Sequence, residues 1–176
     1  MKKAALFPVL LLAACLFAGF YGALHNQLSY TVSPDYFHTF KFHQFRIAVD
    51  LRDRVGASIV GWYASWWMGI FIGIPVLLVA LILPGWKDFM RHSLLAFAIA
   101  ACTALISGLG ALIYAYCTIT EVSLPAYWYP EGVVDRVGFA RAGTMHNFSY
   151  LGGFLGILTC SLYLVVVRIR LKGGSS

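Results

Sequence analysis

Four apolar runs punctuate the chain, at about residues 4–24, 58–83, 93–118 and 144–167, and polar stretches separate them. Crossing the hydrocarbon core of a bilayer takes about 20 residues of helix at about 1.5 Å rise each. All four runs meet that length, and none contains Asp, Glu, Lys or Arg. The pattern predicts four transmembrane helices in one integral membrane domain over residues 1–176, with longer loops at about 26–57 and 119–143. Pro75, inside the second run, should kink that helix, because proline removes a backbone donor and crowds the preceding turn. Met1-Lys2-Lys3 followed by an apolar run also describes a signal peptide, and Leu12-Ala13-Ala14-Cys15 resembles a lipoprotein processing site. The apolar run continues past Cys15 to Leu24, which favours an uncleaved first helix.

The first long loop has a pattern of its own. Ser33-Pro34-Asp35 is a good helix start, with a capping hydroxyl, a proline at the first position and an acid in the first turn. Phe37, Phe40 and Lys41 follow at helical spacing and predict a short helix to about Phe42. From Gln44 to Arg52 apolar and polar residues alternate, as in a half-buried strand. Leu28, Tyr30 and Val32 alternate likewise, so a β-hairpin is one reading and a helix feeding the second span is the other. The aromatic content of this loop predicts a cap over the helix ends: a lid alone, or one wall of a ligand pocket. Tyr127-Trp128-Tyr129-Pro130 in the second loop reads as an interfacial anchor.

Composition sharpens this picture. The chain is 60% hydrophobic and only 11% charged, against about 25% charged in soluble domains. That excludes a soluble domain and a nucleic-acid-binding module. The formal net charge is +6, and its placement is informative. Lys2, Lys3, Lys87, Arg91, Arg168, Arg170 and Lys172 fall on one side of the four spans, opposed only by Asp88. Lys41, Arg46, Arg52, Arg54, Arg136 and Arg141 fall on the other, balanced by Asp35, Asp50, Asp53, Glu121, Glu131 and Asp135. By the positive-inside rule both termini are cytoplasmic and both long loops lie outside. Gly173-Gly174-Ser175-Ser176 reads as a flexible tail.

Small residues recur every fourth position on each span: Ala14, Ala18 and Gly22; Gly61, Ser65, Gly69 and Gly73; Ala96, Ala100, Ala104 and Gly108; Gly152, Gly156 and Cys160. Helices in lipid associate where small side chains let backbones approach. The stripes predict a close-packed, all-α four-helix bundle.

Candidate chemistry centres on two histidines. His25 and His146 are each followed by Asn, and each has a Ser-Tyr pair close behind: Ser29-Tyr30 and Ser149-Tyr150. Both lie at the outer end of a span and on its small-residue face. A buried imidazole there needs a partner, since an unsatisfied polar group in an apolar setting costs several kcal/mol. Three readings stand. The imidazoles tie the cap to the helices through Asn26, Asn147, Ser or Tyr150; or they hold a metal ion (zinc, copper or iron) with Glu121, Cys117 or a loop histidine as a further ligand; or they line a bis-His haem or quinone pocket. His38 and His43, five apart, share no face, and His92 sits among basic residues at the inner boundary. Arg52-Asp53-Arg54 reads as a solvated charge cluster or a clamp on lipid phosphates. Cys15, Cys102, Cys117 and Cys160 all lie within the spans, which excludes a loop-cysteine thiol oxidoreductase and a disulfide-stapled loop. With no ionisable acid or base at mid-span, ion-coupled transport is not expected.

The segments from His25 to Phe37 and from Thr144 to Gly153 resemble those of a group of small bacterial four-helix inner-membrane proteins. The resemblance covers most of the chain and implies an inner-membrane location; it carries no activity with it. The expected function is therefore a non-catalytic membrane protein that binds a metal ion or small polar ligand at the outer mouth of its helices. His25, His146 and Glu121 are the metal candidates, and Asn26, Asn147 and Tyr150 the ligand contacts. A structural or assembly subunit of a larger membrane complex or homo-oligomer is the alternative, and a redox protein with haem or metal a further one.

Overall fold

A computed structural model describes residues 2–126 and 129–173. The described chain is helical throughout, with no strand. Helix α1 runs from Lys2 to Val32. A π-helical turn, Tyr36–Lys41, leads into α2, Phe42–Gln44, and a 3-10 turn, Val49–Leu51, precedes α3, Arg54–Ser65. Then come α4, Met68–Ala80, α5, Trp86–Thr118, and α6, Arg136–Gly173. Helices α1, α5 and α6 are each long and apolar enough to cross a membrane, and α3 with α4 qualifies as a fourth span taken together.

The small-residue stripes meet in pairs. A Cβ on Gly61 would land on the Gly22 carbonyl, and one on Gly69 on the backbone of Cys15, so α3 and α4 cross α1 at backbone contact. Gly108 lies against Ser149, Gly152 against Ala104 and Ser107, and Gly156 against Ala100. The Cys160 thiol continues this seam by donating to the Ala96 carbonyl at 2.9 Å. Falling numbers on one helix meet rising numbers on the other, so α1 is antiparallel to α3–α4 and α5 to α6. The chain termini therefore share one end of the molecule and the loops the other. At the terminal end Lys3 donates to the carbonyls of Leu81 and Leu83, where α4 has run out of its own donors.

Three features depart from the sequence pattern. First, the second span is broken at Trp66–Trp67, where α3 and α4 meet at 45°. Gly69 and Ile70 donate to Trp66 and Trp67, three residues back, so the four-residue ladder lapses at this point. Pro75 sits inside α4. Second, there is no β-hairpin. Residues 28–32 continue α1, and the turn after α2 closes at Arg46, whose φ of 52° is left-handed. Ile47 N–H reaches back to the Phe42 carbonyl in the six-to-one bond of a Schellman motif. Val49 and Leu51, which alternation placed inward, are 78% and 39% exposed. Third, α5 and α6 reach farther into the loops than their apolar runs, because Gly85 precedes α5 and Asp135 accepts from Gly138 N–H at the start of α6.

The short helix expected after Ser33 is present, with the Ser33 hydroxyl accepting from Tyr36 N–H at 3.2 Å. Its aromatic side packs Tyr36, Phe37 and Phe42 against Val60, Phe139 and Ala142, and so covers the loop ends of α3 and α6. Asp35 fastens this cap by accepting from the Val134 and Asp135 N–H groups at 2.9 and 2.8 Å. The Arg52-Asp53-Arg54 cluster is structural. Asp53 caps α3 through Val55 and Gly56 N–H, Arg52 donates to the Ile47 carbonyl, and Arg54 donates to Gln27 and Thr31 on α1. Tyr127 and Trp128 of the expected anchor, and the tail from Gly174, lie outside the described residues.

Candidate functional site

A cleft lies among α1, α3, α4, α5 and α6, beneath the aromatic cap. It holds about 860 Å³ of empty space counting its open mouth. The cleft is long: its α1 wall runs from Ala14 to Asn26, about 18 Å of helix. Its deep part is lined by small and apolar side chains, among them Ala14, Gly69, Ile72, Ala100 and Gly153, and its loop end by Tyr21, His25, Asn26, Lys41, His146 and Ser149. The bend at Trp66–Trp67 makes room for it. Helix α3 packs chiefly on α1, and only after the bend does α4 lie against both α1 and α6.

The two predicted histidines meet at this loop end. Their rings are 4.8 Å apart between centroids and edge to face. Their bonding differs. Ser149 Oγ lies 2.8 Å from His25 Nε2, and Tyr21 donates its hydroxyl to Ser149 Oγ at 3.2 Å. On the other side of the ring, His25 Nδ1 is 3.4 Å from Ser29 Oγ, which itself donates to the His25 carbonyl at 3.1 Å. In one tautomer Tyr21 gives to Ser149, Ser149 gives to His25 Nε2, and Nδ1–H gives to Ser29. In the other, Nε2–H gives to Ser149, whose hydroxyl then turns to the Ala104 carbonyl at 3.4 Å. His146, by contrast, is stacked on Tyr36 at 5.1 Å, and its Nε2 is buried with no hydrogen-bond partner among the described residues.

The remaining predicted residues divide. Asn26 is buried in the wall and donates to the Ala57 carbonyl at 2.9 Å, tying α1 to α3. Tyr150 lines the cleft at its rim, 36% exposed, and its hydroxyl bonds to none of the described residues. Asn147 and Glu121 are exposed and do not line the cleft, nor does Cys117. Among the described residues no three His, Cys, Asp or Glu side chains are grouped to hold a metal ion. Both nitrogens of His25 are engaged already, and the two rings touch edge to face with no gap for a porphyrin between them. His38 bonds the Tyr30 hydroxyl at 3.1 Å and His92 that of Tyr163 at 2.7 Å, each away from the cleft.

Lys41 was not among the expected contacts, yet it lines the cleft. Its ammonium lies 4.4 Å from the centre of the Phe40 ring and 5.5 Å from that of Tyr36, and donates to Gln44 Oε1 at 3.0 Å. Burial pushes its pKa down from 10.5 to about 8. The sequence signal was a lone cation within the aromatic run from Tyr36 to Phe45. Tyr21 was legible in principle as the residue one helical turn before His25.

No protein-family model, curated protein or solved structure matches the chain.

Proposed function

We propose that the chain is a four-span protein of the bacterial inner membrane, termini inside, that binds a small amphipathic molecule in the cleft beneath its periplasmic cap. The observation that carries this reading is the division of the cleft: one polar end with an unpartnered buried imidazole, and one apolar end. An unsatisfied buried polar group costs about 1–3 kcal/mol, and a ligand atom bonded to His146 Nε2 would recover it. The orientation is supported by the charge placement. Membrane insertion is supported by the apolar side chains that the helices turn outward, among them Leu12, Phe20, Ile106, Ile113, Leu158 and Leu162. Hydrogen-bonded recognition fits the donor set better than metal coordination, since His25 is already bonded at both nitrogens and no acidic side chain lines the cleft.

Native mass spectrometry of the protein purified in a non-ionic detergent, with metal analysis alongside, tests this. The expected result is a bound organic molecule that is lost in Gly153→Phe, which fills the cleft from α6. A ligand-free protein that travels with a larger membrane complex, or stoichiometric metal that is lost in His25→Ala, would overturn it.

A further inference from the structure

We propose that the occupant of the cleft is a single-chain amphiphile with an anionic head, the head held at Lys41, His146 and Tyr150 and the chain lying along α1 toward Gly69 and Ala100. The inference rests on the cleft reading above and adds the ligand's charge and shape.

Charge comes first. Lys41 is half-buried at the polar end, with aromatic faces and one amide oxygen around its ammonium and no carboxylate paired to it among the described residues. Among the described residues that line the cleft there is no Asp or Glu. Burying a cation beside neutral groups is costly unless an anion joins it. The end of the cleft therefore favours a negative group and disfavours a metal ion or an ammonium. The remaining N–H groups of Lys41 are the charged donors at this end, and the Tyr150 hydroxyl and the His146 ring line the same cleft. A carboxylate or phosphate head carries several acceptor oxygens for such donors. A neutral carbonyl head would leave the ammonium uncompensated.

Shape follows from the walls. The cleft is long, with alanine and glycine over much of its depth, which suits a chain of methylenes. Phe17 and Tyr150, exposed by 40% and 36%, stand at its rims.

Calorimetric titration of the wild-type protein in dodecyl maltoside tests this with palmitate, lysophosphatidate, hexadecanol, hexadecyltrimethylammonium and decylubiquinone. The anionic pair should bind, and hexadecanol at least about tenfold more weakly, the scale of one charge-assisted contact. Lys41→Gln should remove that advantage, Lys41→Arg should keep it, and Gly153→Phe should abolish binding of either anion. Which anion binds more tightly distinguishes a fatty-acid from a lysophospholipid source. If hexadecanol or decylubiquinone binds as tightly as the anions, or Lys41→Gln changes nothing, the anionic inference falls while the cleft reading stands. If none of the five binds, both fall.

Discussion

Ser149 on α6 and His25 on α1 are joined by a 2.8 Å hydrogen bond between Oγ and Nε2, while His146, one turn before Ser149, has its own Nε2 unbonded. Two imidazoles in edge contact thus differ completely in what they contribute to the ligand-free protein. His25→Leu severs a chain of bonds running from Tyr21 to Ser29 and should cost about 1–3 kcal/mol. His146→Leu removes a buried atom that has no partner and should lie within about 1 kcal/mol of wild type. Thermal unfolding in detergent without added ligand checks the pair; equal losses would contradict the asymmetry.

The glycines of the spans should separate into two kinds. Gly61→Ala drives a methyl group into the Gly22 carbonyl, where backbone meets backbone and no side chain can yield. The expected loss is about 1–3 kcal/mol, as for overpacked cores. Gly110, on the exposed side of α5, would meet nothing within 4 Å. Gly110→Ala should be neutral or should stabilise by up to about 1 kcal/mol through helix propensity. The unfolding midpoint should fall for Gly61→Ala and hold or rise for Gly110→Ala, and a matched loss in both would argue against the close α1–α3 crossing.

Asp35 serves two backbone donors across the cap, at Val134 and Asp135. Asp35→Ala strips both of their acceptor. Amide exchange at those two residues should accelerate, with a loss of about 1–3 kcal/mol in stability, while amides in the middle of α5 keep their wild-type rates. Unchanged exchange at Val134 and Asp135 would show that water replaces the carboxylate.

Lys41 gives the protein a dependence on alkaline pH with a definite sign. Its folded pKa of about 8 lies below the ordinary 10.5, so between those values the unfolded chain binds more protons than the folded one. Stability must then rise with pH across that window, and the contribution is level on either side. His25, His146, Tyr21 and Tyr150, the other titratable groups lining the cleft, are common to wild type and Lys41→Met and cancel in the comparison. The melting temperature of wild type minus that of Lys41→Met should climb from pH 8 to 10.5. A difference that falls with pH would show that the ammonium is favoured where it sits.

The sequence exposes the helices and hides how they are interrupted. Apolar runs and four-residue stripes of small residues mark the spans and their contact faces, because lipid and close backbone approach each demand them. Gly22 against Gly61 and Gly156 against Ala100 are contacts between stripe residues, although the stripes do not say which helix pairs with which. The break at Trp66–Trp67 has no local marker, because it arises from two tertiary contacts, Gly61 and Gly69 both resting on α1, while α4 alone turns to α6. The alternation at residues 44–52 misleads because a strand needs a neighbouring strand, and there is none among the described residues. At the site, His25 and His146 are legible from their matching neighbours and helical register. Glu121 and Asn147 have suitable chemistry at suitable depth, but their faces are set by where α5 ends and how α6 is rotated. Lys41 escapes notice because a cation in an outer loop reads as solvated until the aromatic cap folds over it.

The bend between α3 and α4 carries one wall of the cleft from α1 across to α6. Gly61 before the bend and Gly69 after it both rest on the backbone of α1, so the wall is pinned on either side of its own corner. The loop end is fixed by other means: Asn26 donates to the Ala57 carbonyl and Asp35 accepts from the N–H groups of residues 134 and 135, which holds helices and cap in register. The two ends of the cleft are thus framed differently, one by side-chain hydrogen bonds and the other by glycines that carry no side chain at all.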